Sequence, residues 1–260
     1  MIRPIITLTT DFGSKDGYVG AVKGVIKRIN PHAEIVDITH EIEPFDVWGA
    51  AFALNNFYGY FPQDTIHLVV VDPGVGSQRQ PLLIQSADFL FVGPDNGVFS
   101  FILQNEEIIE IISISNRKYL LSKPSHTFHA RDVFAPVTAY LSLGVDIREF
   151  GAPAMECSKL FIPQTKVERR DIIGEIIHVD NFGNLITNIE AKSVHLKIIK
   201  RIEVKRKRIS QIAKSYYDIP EGKIGAVIGS SGFLEIAANR GNAAELVKAE
   251  IGTKVKINLE

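Results

Sequence analysis

The sequence sets an acid, a base and a guanidinium beside tight turns. Asp72-Pro73-Gly74-Val75-Gly76 follows an apolar run, Arg79 stands shortly after it, and Phe128-His129-Ala130-Arg131-Asp132 comes later in the chain. Packing does not require such groups at the ends of apolar strands. Converged, they would form a site that holds and deprotonates a water. A carboxylate at Asp72 should meet partial desolvation, which raises its pKa and makes it a better base. Gly74 and Gly76 would let backbone N–H groups approach an anion. Taken alone, the same stretch reads as a Pro-Gly turn with a solvated Asp, and Arg79 as a surface charge.

Other polar motifs are open in the same way. Asp11, in Thr9-Thr10-Asp11-Phe12-Gly13, ends an apolar run, where it could accept hydrogen bonds from ribose hydroxyls or close an Asx-turn. His126-x-x-His129 has the composition of a metal pair, with Asp11, Asp72 or Asp132 as further ligands. It follows Pro124, however, lies ahead of the predicted helix, and has no recognisable metal spacing around it, so no metal is expected. Asp132 is most economically the N-cap of that helix. Gly93-Pro94-Asp95-Asn96-Gly97 reads as a turn launching a helix at Val98. Asp180-Asn181-Phe182-Gly183-Asn184 fits a hairpin turn, although the Asn184 amide could also read an adenine edge. Ser230-Ser231-Gly232-Phe233-Leu234-Glu235 is equally ambiguous.

The elements that must carry these groups alternate at first. Ile5 to Thr9, Glu34 to Ile38, Ile66 to Val71 and Phe89 to Val92 are short apolar runs with the composition of strands. The third is apolar at nearly every position after His67, as in a central strand covered on both faces. Tyr18, Val22, Val25, Ile26 and Ile29 share one helical face, ending before Pro31. Val47, Ala50, Ala51, Leu54 and Tyr58 share another, after Asp46. A third helix is expected from about Asp132 to Leu143, with Pro136 near its first turn and Gly144 as its stop. This is an α/β pattern: a mainly parallel sheet covered by helices, over residues 1–165.

The character changes after Thr165. Lys166 to Asp171 reads as a linker. Beyond it, Ile172 to Val179, Leu185 to Ile189, Ile202 to Val204, Ile224 to Ile228, Phe233 to Ala237 and Val255 to Leu259 are closely spaced strand-like runs separated by turn signals. They predict a smaller all-β barrel domain over 172–260. The alternation of Lys and Arg with Ile and Val from Lys197 to Lys207 reads as the solvated face of an edge strand.

The bulk numbers narrow the setting. A net charge of -1, with basic residues spread along the chain, gives no reason to expect nucleic acid. The single Cys157 cannot form an intramolecular disulfide. No apolar run approaches the roughly 20 residues of a membrane span. A cytoplasmic, reduced protein is the expectation.

Taken in order over residues 5 to about 245, the five motifs around Asp11, Asp72 with Arg79, Asp95, His129 and Asp180 resemble the S-adenosyl-L-methionine hydroxide adenosyltransferases, relatives of the fluorinases and chlorinases. The resemblance implies a hydrolase that uses S-adenosyl-L-methionine as substrate, with no separate cofactor, and yields adenosine and methionine. It also implies a homotrimer, with substrate bound between the N-terminal domain of one subunit and the C-terminal domain of the next. The residues matching the family's water-handling triad are Asp72, Arg79 and His129. Those matching substrate contacts are Asp11 on the ribose, Phe45, Phe182 and Tyr216 as aromatic walls, and Asp180, Asn184, Ser230, Glu235 and Asn239 near the adenine and methionine ends. Asp16 and Tyr18 complete the expected substrate-binding set. Where the halide users carry Tyr, this chain has Asp72; where they place Ser two residues after the site Phe, it has Ala130. It also lacks the fluorinase insertion between Leu83 and Gly93. A carboxylate facing the nucleophile repels halide but accepts a proton from water. A nucleoside-binding or sensing protein with little turnover is the alternative, and a metal-dependent hydrolase a third.

Overall fold

The computed structural model describes residues 5–194 and 199–260, which divide into two compact units, Met1–Leu160 and Phe161–Glu260. In the first, a seven-stranded sheet holds β1 (Ile5–Thr10), β2 (Glu34–Thr39), β3 (Ile66–Val70), β4 (Pro81–Ser86), β5 (Leu90–Pro94), β6 (Ile108–Ile114) and β7 (Gly151–Pro153), in the order β2-β1-β3-β5-β4-β6-β7. Strands β2, β1, β3 and β5 run parallel. β4, β6 and β7 extend the sheet with antiparallel pairing. The strands at β4 and β6 escape the sequence reading because β4 opens on Pro81 and β6 carries Glu110 and Ser113 among its apolar residues.

Side chains alternate across the parallel strands. Ile6, Leu8, Leu68 and Val70 pack on one face with Val22 and Ile26 of helix α1 (Tyr18–Ile29) and with Phe134 and Val137. The opposite face carries helix α2 (Val47–Phe57), N-capped by Asp46, whose Oδ1 accepts the Gly49 N–H at 2.8 Å. There the imidazole of His67 lies fully buried among Phe57, Phe61, Phe89 and Phe91, with Nδ1 2.8 Å from the Thr7 hydroxyl.

Two helix expectations are corrected. After Gly97 the chain turns before the short helix α3 (Ile102–Asn105), rather than entering a helix at Val98. The third long helix starts earlier than Asp132: a π-helical turn, Ala130–Phe134, follows His129 directly and leads into α4 (Ala135–Leu141). Pro136 has no N–H to give to the carbonyl of Asp132. That carbonyl instead accepts the N–H of Leu121 at 3.0 Å, while the N–H of Ala135 reaches back to Ala130. Asp132 is therefore no N-cap. It is buried inside the turn, accepting the Ser125 N–H at 2.7 Å and pairing with Arg131.

The second unit is a nine-stranded sheet. It contains β8 (Lys166–Glu168), β9 (Asp171–Val179), β10 (Leu185–Glu190), β11 (Ile199–Val204), β12 (Lys207–Ile209), β13 (Ile212–Ala213), β14 (Ile224–Ile228), β15 (Phe233–Ala238) and β16 (Lys254–Leu259). The order is β12-β11-β16-β9-β10-β15-β14-β13, with β8 on β9. β12 also comes back against β14, so the sheet nearly closes as a barrel around Ile172, Ile176, Leu185, Ile236 and Ile257. Half of the stretch expected as a linker is β8, whose exposed Lys166, Val167 and Glu168 pair with the start of β9 in a hairpin. Positions 197–198 of the expected basic edge strand lie outside the described residues; β11 and β12 cover most of the remainder.

Candidate active site

In a parallel sheet, loops at the carboxyl ends of strands share one edge and receive ligands there. β1 delivers Asp11 and Phe12 to that edge, β3 delivers Asp72, and the loop after β2 brings Pro44 and Phe45. With Tyr18 at the start of α1 and Thr127 to Ala130 ahead of α4, they line a cavity of about 360 Å³. That volume is in the range of small-molecule sites.

The three groups expected to handle water converge. Arg79 donates through Nε to Asp72 Oδ1 at 2.9 Å and through Nη2 to Oδ2, a bidentate pair. Both side chains are buried, at 8% exposure for Arg79 and 6% for Asp72, so the Asp is not the solvated turn residue of the simpler reading. Nη2 also lies 2.9 Å from His129 Nδ1. A guanidinium only donates, so Nδ1 is the acceptor and the neutral ring carries its proton on Nε2. Burial holds the His129 pKa below its ordinary value, and the Arg79 charge lowers it further against the opposing pull of Asp72. Both effects favour the neutral ring, which lines the cavity with its proton on Nε2.

The arrangement depends on backbone contacts. Gly76 adopts φ +80, and a Cβ there would stand 2.5 Å from the carbonyl oxygen of His126. Only glycine permits the Asp72 loop and the His129 loop to meet this closely. Asn96, read from sequence as part of a turn, donates from Nδ2 to the Val71 carbonyl at 2.8 Å and so braces the residue before Asp72.

Asp11 does not close its own turn. Its Oδ2 accepts the Phe45 N–H at 2.9 Å, and Phe45 sits at φ +70, a conformation that is costly for a bulky side chain and concentrates at functional sites. Phe45 is 71% exposed. A nest of rings completes the wall: Phe128 meets Tyr18 at 5.2 Å and Phe12 at 5.9 Å, with the Arg131 guanidinium 4.9 Å over Phe128. Phe12 and Phe128 line the cavity next to Asp11 and His129, and that adjacency in the motifs is the sequence signal for them. Asp16 is exposed and stands outside this lining. Among the described residues no three His, Cys, Asp or Glu side chains are grouped as a metal would need.

The second unit carries its own polar cluster. Asp180 Oδ1 accepts the N–H groups of Phe182 and Asn184 at 2.9 and 2.8 Å, and Asn184 Nδ2 donates to Oδ2 at 2.9 Å. One N–H of the Asn184 amide thus serves the turn. Tyr216 donates its hydroxyl to Glu235 Oε2 at 2.7 Å. Burial raises the Glu235 carboxyl above its ordinary value, opposed by the Tyr216 hydrogen bond and assisted by Asp180. Phe182 is 76% exposed. Ser230 is exposed in the turn between β14 and β15. Asn239 spends Nδ2 on the Ile219 carbonyl at 2.7 Å and serves the 219–222 turn.

The SAM hydroxide adenosyltransferase family models match both units, the N-terminal domain over residues 6–151 and the C-terminal domain over 174–256. The chain belongs to the SAM hydroxide adenosyltransferase family. A relative from Methanocaldococcus jannaschii, named (R)-S-adenosyl-L-methionine hydrolase, is 38% identical over 98% of this chain and 96% of its own. A fluorinase from Nocardia brasiliensis is 23% identical over 99% of this chain and 97% of its own. Among solved structures, an uncharacterized conserved protein from Thermotoga maritima superposes with a TM-score of 0.91 at 40% identity, covering 97% of this chain and 99% of that one. In this member of the family one wall of the cavity carries the Asp72 carboxylate, held by Arg79.

Proposed function

We propose that the protein hydrolyses S-adenosyl-L-methionine to adenosine and L-methionine, acting on the (R)-sulfonium form for which its relatives are named. The observation that carries the reading is the buried Asp72 carboxylate, fixed by Arg79 beside His129 at the cavity wall. Bulk water has a pKa of about 15.7, so the nucleophile is the difficult partner. Water oxygen attacks C5′ as the C5′–S bond breaks, and the bond pair returns to sulfur to give a neutral thioether. Departure neutralises a positive charge, so the leaving side needs no acid. His129 Nε2–H orients the water, Asp72 accepts its proton, and Arg79 fixes both. Holding the water in line with the C5′–S bond contributes several kcal/mol. Asp11 accepts from the ribose, and Asp180, Asn184 and Glu235 take the adenine and methionine ends.

The exposed rings of Phe45, Phe182 and Tyr216 support a further part of the reading, a homotrimer in which the C-terminal cluster of one subunit completes the cavity of a neighbour. We place the protein in the cytoplasm, where a lone thiol such as Cys157 stays reduced. Among the described residues no helix is long and apolar enough to cross a membrane.

Incubation with each sulfonium epimer in ¹⁸O-labelled water tests the reaction. The expected result is label in the 5′-hydroxyl of adenosine, from the (R) form. Tight adenosine binding without consumption of either epimer would instead make the protein a nucleoside sensor.

A further inference from the structure

His40 is absent from the chemistry above, yet it grips the Asp11 turn from both sides. The pairing of β1 with β2 shifts register between Leu8, which faces Asp37, and Thr9, which faces Thr39, the residue before His40. Such a shift re-aims the side chains that follow it. His40 Nδ1 lies 2.9 Å from the Thr10 hydroxyl, and that same oxygen accepts the Phe12 N–H at 3.3 Å. The His40 carbonyl accepts the Gly13 N–H at 2.7 Å. On the far side of the ring, Nε2 stands 3.1 Å from Asp37 Oδ1, close to the carboxylate but too bent for a hydrogen bond. The other Asp37 oxygen meets Lys23 Nζ at 2.5 Å.

The donors and acceptors run in one direction. Phe12 N–H donates to Thr10, Thr10 O–H donates to Nδ1, and the remaining ring proton faces the Asp37 carboxylate. Thr10 is only 3% exposed and outside the cavity lining, so this Thr–His–Asp series cannot deliver a nucleophile to substrate. Its output is the position of Asp11, between Thr10 and Phe12. One Asp11 oxygen is already committed to the Phe45 N–H, so the geometry of the other decides what a ligand meets.

We propose that His40 is a positioning residue that aims the Asp11 carboxylate at the ribose hydroxyls of the bound nucleoside. The proposal rests on the reading of Asp11 as the ribose acceptor. Calorimetric Kd values for adenosine and for 2′,3′-dideoxyadenosine test it, because only the first has ribose hydroxyls. Wild-type protein should prefer adenosine. His40→Ala should lower adenosine affinity about tenfold, the scale of one hydrogen bond to a charged group, and leave dideoxyadenosine unchanged. In turnover, KM should rise by a similar factor while kcat stays within about twofold. His40→Asn, which returns an acceptor near the Nδ1 position, should recover the preference. Thr10→Val, close in volume, should lose it as His40→Ala does, and serves if that variant fails to fold. Equal losses for both nucleosides would reduce His40 to a structural role, and a retained preference would overturn the proposal outright. If wild-type protein shows no preference, the ribose reading of Asp11 fails first and the proposal with it.

Discussion

Arg79 places one nitrogen between Asp72 and His129, so that Asp72 Oδ2 and His129 Nδ1 both accept from the same guanidinium nitrogen. Were His129 to gain a second proton, Nδ1–H would face a guanidinium donor and the 2.9 Å contact would become a repulsion. Burial and Arg79 therefore hold the His129 pKa below the ordinary 6.5. The unfolded chain binds this proton more readily than the folded one. The stabilisation is accordingly present above 6.5 and is lost as pH falls through the lowered folded value. Catalysis follows the same sign. The plot of log kcat against pH should stay level down through 6.5 and turn downward only below it. An acid limb centred at or above 6.5 would show that neither burial nor Arg79 governs the ring.

At the scale of elements, the site depends on how closely two loops approach. Gly76→Ala would force a Cβ toward the His126 carbonyl in a left-handed backbone conformation, which alone costs about 1–2 kcal/mol. The loops should part and the Arg79–His129 contact lengthen. Turnover should fall at least about tenfold, since misplacement by about 1 Å is costly in catalysis, while the melting temperature drops by only a few degrees. Wild-type turnover in a folded Gly76→Ala protein would show that the triad does not need this approach. Much of this level is legible in the sequence. Tyr18 to Ile29 declares its helix by period, and Asp11 and Asp72 announce the ligand edge by following apolar strands. What escapes is set by partners far along the chain. The π turn at Ala130 depends on Leu121 taking the carbonyl that Pro136 leaves free, and β8 is a strand because β9 pairs with it. The brace from Asn96 to Val71 and the ring nest at Phe128 are likewise tertiary facts, invisible to local pattern.

For the molecule as a whole, the question is which chains build one site. Asp72 and Asn184 lie in different units, so under the proposed roles single variants disable the water side or the nucleoside side separately. Asp72→Asn should lose most turnover while keeping adenosine affinity, and Asn184→Ala should bind weakly and turn over little at low substrate. Coexpression of the two variants as mixed oligomers separates the possible assemblies. If each site joins the N-terminal unit of one subunit to the C-terminal unit of the next, a random mixture contains some intact sites. These pair the N-terminal half of an Asn184→Ala chain with the C-terminal half of an Asp72→Asn chain. With equal amounts of each, about a quarter of sites should be whole, and activity should recover to about that fraction. If each chain completes its own site, every site carries one lesion and mixing restores nothing. The outcome thus reads out the assembly from turnover alone, with light scattering of the mixture fixing the number of subunits.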